Sequence, residues 1–200
     1  MTSAPLGTDA ERRSAMLTGV AWMTFAMSGI GIVDAIAKWL GQTMHGLQVT
    51  WGYFTAMLVV LLVHFAVTRR SPVAYLVTPK RTLQVIRAGC LVGSLSCLYV
   101  ALQYMPLAEG TTISFTSPLF AVALAGPLLG ERVGWRRWAA VLGAMAGAML
   151  VVRPGSELFR LVSLLPFVGA IFFALFNVIT RKLDGEPFET TLLYTFGAGA

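Results

Sequence analysis

Residues 106–154 read PLAEGTTISFTSPLFAVALAGPLLGERVGWRRWAAVLGAMAGAMLVVRP. Two apolar runs, Thr111–Leu129 and Trp138–Val152, flank a short charged turn that contains Glu131, Arg132, Arg136 and Arg137. A helix of about 20 apolar residues crosses a hydrocarbon core of roughly 30 Å. Each run reaches that length or nearly so, and the turn leaves room only for a tight hairpin tip. The stretch therefore predicts two antiparallel membrane helices joined by a basic loop. The first helix carries unusual chemistry in its first half, where Glu109, Thr111, Thr112, Ser114, Thr116, Ser117 and Pro118 follow Pro106. Polar groups and a proline inside a membrane helix must be satisfied locally or must face a cavity.

The rest of the chain has the same character. Of its 200 residues 56% are hydrophobic and 12% charged, against roughly 25% charged in soluble domains. With a mean hydropathy of +0.74, the class is an all-α integral membrane protein. The net charge of +6 does not point to nucleic acid, because the basic residues come in pairs at helix ends and form no single face. They suit loops that meet anionic headgroups, so the lipid bilayer is the expected partner. Cys90 and Cys97 are seven residues apart in one apolar run, about two helical turns, which is too far for a disulfide. No Cys/His cluster has metal-ligand spacing, and no cofactor is expected.

Working outward, a polar tail at 1–14 precedes a first helix at about 15–40, read as uncleaved although Ala35-Ile36-Ala37 resembles a signal cleavage site. Further helices are expected at about 47–67, 83–104, 109–129 and 136–153. A sixth follows at about 161–179, and a seventh starts at Thr190. With the N-terminus inside, twelve Lys and Arg residues, Arg87 among them, fall on inner segments. Three fall on outer ones: Lys38, Arg153 and Arg160. That bias supports the span count and a cytoplasmic N-terminus.

A faint internal repeat is visible. A shift of 143 residues lays Ile36, Lys38, Leu40, Trp51 and Tyr53 on Ile179, Arg181, Leu183, Tyr194 and Phe196. Five helices separate the copies, so the second would run inverted, as in many secondary transporters. Residues 15–153 are then one repeat, and 161–200 begin another that is expected to continue past Ala200.

Several motifs resemble the EamA transporters of the drug/metabolite transporter superfamily. They are Ala101-Leu102-Gln103-Tyr104-Met105-Pro106-Leu107-Ala108-Glu109, Ser114-Phe115-Thr116-Ser117-Pro118-Leu119-Phe120, Leu129-Gly130-Glu131-Arg132, Arg136-Arg137-Trp138 and the Gly143…Gly147…Arg153-Pro154 close. The resemblance implies ten-helix carriers with cytoplasmic termini and a central site between two five-helix inverted repeats. Val33-Asp34-Ala35-Ile36-Ala37-Lys38-Trp39-Leu40 is similar to a bacterial subgroup that includes riboflavin and S-adenosylmethionine carriers. The arginine common in that subgroup at the start of helix two is absent from Trp51-Gly52-Tyr53-Phe54.

The candidate substrate-path residues are Asp34, Trp51, Tyr53, Thr111, Ser114, Phe115, Pro118 and Asn177. The candidate coupling or gating residues are Asp34, Lys38 and Glu109. Each has a plainer reading. Pro118 cannot donate to Ser114 and kinks the helix, which either opens the backbone to a substrate or merely serves packing. Asp34 and Lys38 stand at i, i+4, as a coupling carboxylate with its gate or as an interfacial pair. Glu109 also compensates a helix dipole. Asn177 glues helices or reads a substrate, and Trp51 and Tyr53 also suit an aromatic belt. His45 and His64 receive no role.

The function expected is a secondary transporter in the inner membrane. It moves a small metabolite or drug-like solute by alternating access, with proton coupling and homodimerisation open. The alternative is a non-transporting structural or regulatory subunit. No catalytic set and no phosphate-binding loop is present to suggest an enzyme or an ATP-driven pump.

Overall fold

The computed structural model describes residues 9–130, 134–152 and 161–200. Every regular element among them is helical, and five stretches are long and apolar enough to cross a membrane: Met16–Leu40, Gly46–Val67, Arg81–Ala101, Leu107–Leu128 and Leu164–Lys182. In chain order the α-helices are α1 (Asp9–Leu40), α2 (Gly46–Val67), α3 (Arg81–Ala101), α4 (Leu107–Ser114), α5 (Ser117–Leu129), α6 (Trp135–Val152), α7 (Leu164–Lys182) and α8 (Phe188–Gly199). Short 3-10 turns occupy Pro72–Leu76 and Leu161–Ser163.

The chain divides after Ala37 into two units. The first holds most of α1. Its apolar side chains, Met16, Trp22 and Phe25 among them, are exposed, as lipid requires. Its hydroxyls are closed off within the helix: Thr18 donates to Ser14 O, Thr24 to Val20 O and Ser28 to Thr24 O. A polar side chain satisfied this way can face hydrocarbon without an orphan donor. The helix begins at Asp9, ahead of the stretch Met16–Leu40 that is long and apolar enough to cross a membrane, so part of the polar N-terminal segment is helical.

The second unit is built around α3, which packs against α2, α7 and α8, while α5 and α4 also lie on α7. Lipid is as apolar as leucine, so close van der Waals fit holds such helices together. Small residues make that fit. A Cβ on Gly169 would stand 3.1 Å from Ser94 O and 3.2 Å from Cys97 Cβ, and one on Gly93 would stand 3.3 Å from the Phe172 ring. A second seam joins α2 to α8, with Leu61, Phe65 and Leu193 buried together and Tyr75 packed on them. At Gly46 the start of α2 presses on the α3 backbone, where a Cβ would lie 2.6 Å from Val100 N. A Cβ at Gly143 or Gly147 of α6 would meet nothing within 4 Å.

Two helix boundaries also differ from expectation. The third helix runs 81–101, because Leu102 to Met105 wind into a turn before Pro106. The fourth is not one rod over 109–129 but two, broken at Phe115–Thr116. Pro118 sits in the first turn of α5, where its missing N–H costs nothing. That placement leaves Ser114 O without its i+4 donor and ends α4. α5 stops at Gly130, whose φ of 70° provides a left-handed cap. The hairpin tip at Glu131 and Arg132 lies outside the described residues, as do Arg153 and Arg160.

One end of the unit is cross-linked by polar contacts. Arg70 Nη1 meets Glu189 Oε1 at 2.9 Å, Thr78 Oγ1 donates to Glu186 Oε2 at 2.7 Å, Lys80 Nζ donates to Lys182 O at 3.2 Å, and Tyr194 OH donates to Leu76 O at 2.7 Å. These contacts place the α2–α3 and α7–α8 connections side by side. Leu40 and Lys182, and likewise Gly46 and Phe188, are each 142 residues apart, one short of the 143-residue shift.

Candidate functional site

The residues expected to matter are spread over the fold. In α4, Thr111 donates to Leu107 O, Thr112 to Ala108 O and Ser114 to Gly110 O. Asn177 Nδ2 likewise donates to Phe173 O at 2.9 Å, on its own helix. Phe115 is 74% exposed and Pro118 is exposed. Trp51 is exposed, with its indole donating to Ala200 O, and Tyr53 stands edge-on to Phe54 at 5.3 Å. Glu109 occupies the first turn of α4, half-buried, with Oε1 buried and unpartnered. Asp34 belongs to the first unit and is half-buried there.

Lys38 has a defined task. Its Nζ donates to the carbonyls of Leu102 and Met105, the latter at 2.9 Å. Leu102 is the C-cap residue of α3 and Met105 lies in the turn that follows, so the cation sits where the α3 dipole favours it. Gln103 Nε2 adds bonds to Gly41 O and Met44 O at 3.2 and 3.0 Å, tying this corner to the turn before α2. His45, which sequence reading left without a role, caps α2. Its ring accepts from Leu47 N, while Gln48 Oε1 accepts from His45 N in return.

The feature that sequence reasoning missed is Arg87. Counted there as an inner-segment cation, it lies inside the bundle, 7% exposed. It stands six residues into α3, about 9 Å along the helix from Arg81. Its Nε donates to Thr180 Oγ1 of α7 at 2.6 Å, and its Nη1 to Thr195 Oγ1 of α8 at 2.7 Å. Its guanidinium carbon lies 4.3 Å from the centroid of Phe176, a cation–π contact. One turn before it, Gln84 is fully buried and donates to Thr191 Oγ1 at 3.3 Å, while its Oε1 has no partner. Among the described residues no carboxylate is shown in an ion pair with Arg87. A signal was present in the sequence: Gln84 and Arg87 share an α3 face, and Thr190, Thr191 and Thr195 stripe the start of α8.

A charged side chain within an apolar bundle is costly, and in membrane proteins it marks a functional position by default. The architecture is that of a multi-pass helical membrane protein with a buried cation where three helices meet. The chain belongs to the EamA-like transporter family, whose model matches residues 17–153.

Similar curated proteins carry transporter names. A riboflavin transporter of Vibrio cholerae is 32% identical over 88% of this chain and 60% of its own length. An S-adenosylmethionine uptake transporter of Rickettsia conorii is 27% identical over 89% of this chain and 60% of its own. A pseudopaline exporter of Pseudomonas aeruginosa is 22% identical over 92% and 63% respectively. The chain thus spans about 60% of the length of the first of these relatives. No solved structure matches it.

Proposed function

We propose that the chain forms part of a secondary carrier that moves a small metabolite or drug-like solute across the inner membrane by alternating access. The observation that carries this reading is Arg87, a cation buried at the meeting of α3 with α7 and α8. In the proposed repeat scheme α3 belongs to the first copy and α7 and α8 open the second, and carriers bind substrate at such repeat boundaries. The matching helix-end separations support that scheme. The break between α4 and α5 leaves the Ser114 carbonyl without its i+4 donor, and Thr111, Ser114, Phe115, Pro118, Trp51, Tyr53 and Asn177 remain candidates to line a substrate path.

Proton coupling would fall to Asp34, Lys38 or Glu109; the buried, unpartnered oxygen of Glu109 supports its candidacy. The charge bias supports a cytoplasmic N-terminus. The names of its relatives put riboflavin and S-adenosylmethionine first among solutes to screen. The test is uptake and counterflow into proteoliposomes from a metabolite pool, with and without a proton gradient. Accumulation of a solute is expected. No movement of any solute removes the carrier reading, and unchanged proton dependence in Asp34→Asn removes Asp34 from coupling.

A further inference from the structure

We infer that Arg87 and Gln84 form a recognition subsite for a solute bearing a carboxylate beside an N–H donor, an inference that rests on the carrier reading. The argument begins with charge. Of the five N–H donors of the Arg87 guanidinium, Nε and one on Nη1 are engaged, both by neutral hydroxyls. Those hydroxyls are held as acceptors. Thr180 Oγ1 spends its proton on Phe176 O and Thr195 Oγ1 spends its own on Thr191 O, each at 2.6 Å. Their lone pairs therefore face the guanidinium, but they bring no negative charge to it. A buried cation supplied with dipoles alone is stabilised more by an anion, and the planar guanidinium fork matches a carboxylate with two parallel bonds.

The second observation is independent. Gln84 is fully buried on the same α3 face, with one end bonded to Thr191 and the other unpartnered. As oriented, the free end is an acceptor that awaits a donor. A carboxylate on Arg87 with an N–H group one helical turn away satisfies both residues. The ligand oxygens take the places of Thr180 and Thr195 when α3 parts from α7 and α8, and the threonines take them back on closing. With the helices closed, Phe176 lies under the guanidinium and covers the charge while no ligand is bound.

The test uses the whole chain in maltoside micelles free of added lipid, with saturation-transfer NMR titrations of three probes. N-acetylglycinate carries carboxylate and N–H, propionate the carboxylate alone, and N-acetylglycinamide no charge. Wild type is expected to bind the two anions and not the amide. Arg87→Gln is expected to weaken both anions by about tenfold or more, the change expected from losing a charge-assisted bond. Arg87→Lys, which keeps the charge without the fork, falls between. Gln84→Met should weaken N-acetylglycinate to the level of propionate and leave propionate unchanged. If Arg87→Gln does not fold, the Lys and Gln84 variants carry the test.

Equal anion binding by wild type and the Arg87 variants overturns the inference. So does binding of the amide, absence of anion binding in wild type, or a response to added phosphatidylglycerol with none to carboxylate. Anion binding without uptake in proteoliposomes removes the carrier reading alone. Unimpaired uptake by Arg87→Gln removes this inference alone.

Discussion

Replacing Gln84 by methionine should leave the protein as stable as before or more so. Gln84 is fully buried and is among the largest side chains with no exposure, so a methionine of similar length and shape fills the same space. Two quantities change. The bond from Nε2 to Thr191 Oγ1, 3.3 Å long, lies beyond the usual range and is worth about 0.5 kcal/mol. The unpartnered Oε1 costs about 1–3 kcal/mol while it stays buried. Removing both stabilises the fold by about 0.5–2.5 kcal/mol, and Thr191, only half-buried, is not stranded. The measurement is unfolding by SDS titration in mixed micelles, followed by far-UV circular dichroism. A methionine variant less stable by more than about 1 kcal/mol would refute the reasoning, because it would mean that Oε1 has a partner in the folded protein and is not held open for a ligand.

Gly46→Val should destabilise the unit by about 1–3 kcal/mol in the same titration, since its side chain must displace the Val100 backbone; an unchanged midpoint would contradict the α2–α3 packing. Arg70→Ala removes an ion pair whose arginine is 54% exposed, and a change of no more than about 1 kcal/mol is expected. Lys38→Met strips the α3 terminus of a cation bonded to two carbonyls. A loss of about 1–3 kcal/mol follows, read together with faster amide exchange at Gln103 and Tyr104.

The membrane class was legible because bilayer thickness imposes a run length that few other constraints imitate. The break at Phe115–Thr116 was half legible. Pro118 announced a kink, but proline alone does not say whether the helix bends or restarts. The site was mostly hidden. Arg87 follows Lys80 and Arg81 so closely that a count of positive charges assigns all three to one loop. Only the start of α3 at Arg81 separates surface cations from a buried one. The partners of Arg87 could not be read at all, since a threonine on one apolar helix carries no mark of the distant residue it will meet. His45 was silent for the opposite reason, because its whole function is local and spent on the first turn of α2.

The long reach of those Arg87 contacts bears on how the protein is made. Thr180 lies 93 residues after Arg87 in the chain and Thr195 lies 108 after it. At about 5–20 residues per second, α3 exists for roughly 5–20 s before its guanidinium can meet either hydroxyl. Through that interval the nascent helix carries a charge with no partner from its own bundle. Any delay in the arrival of α7 and α8 therefore lengthens the time α3 holds that charge alone.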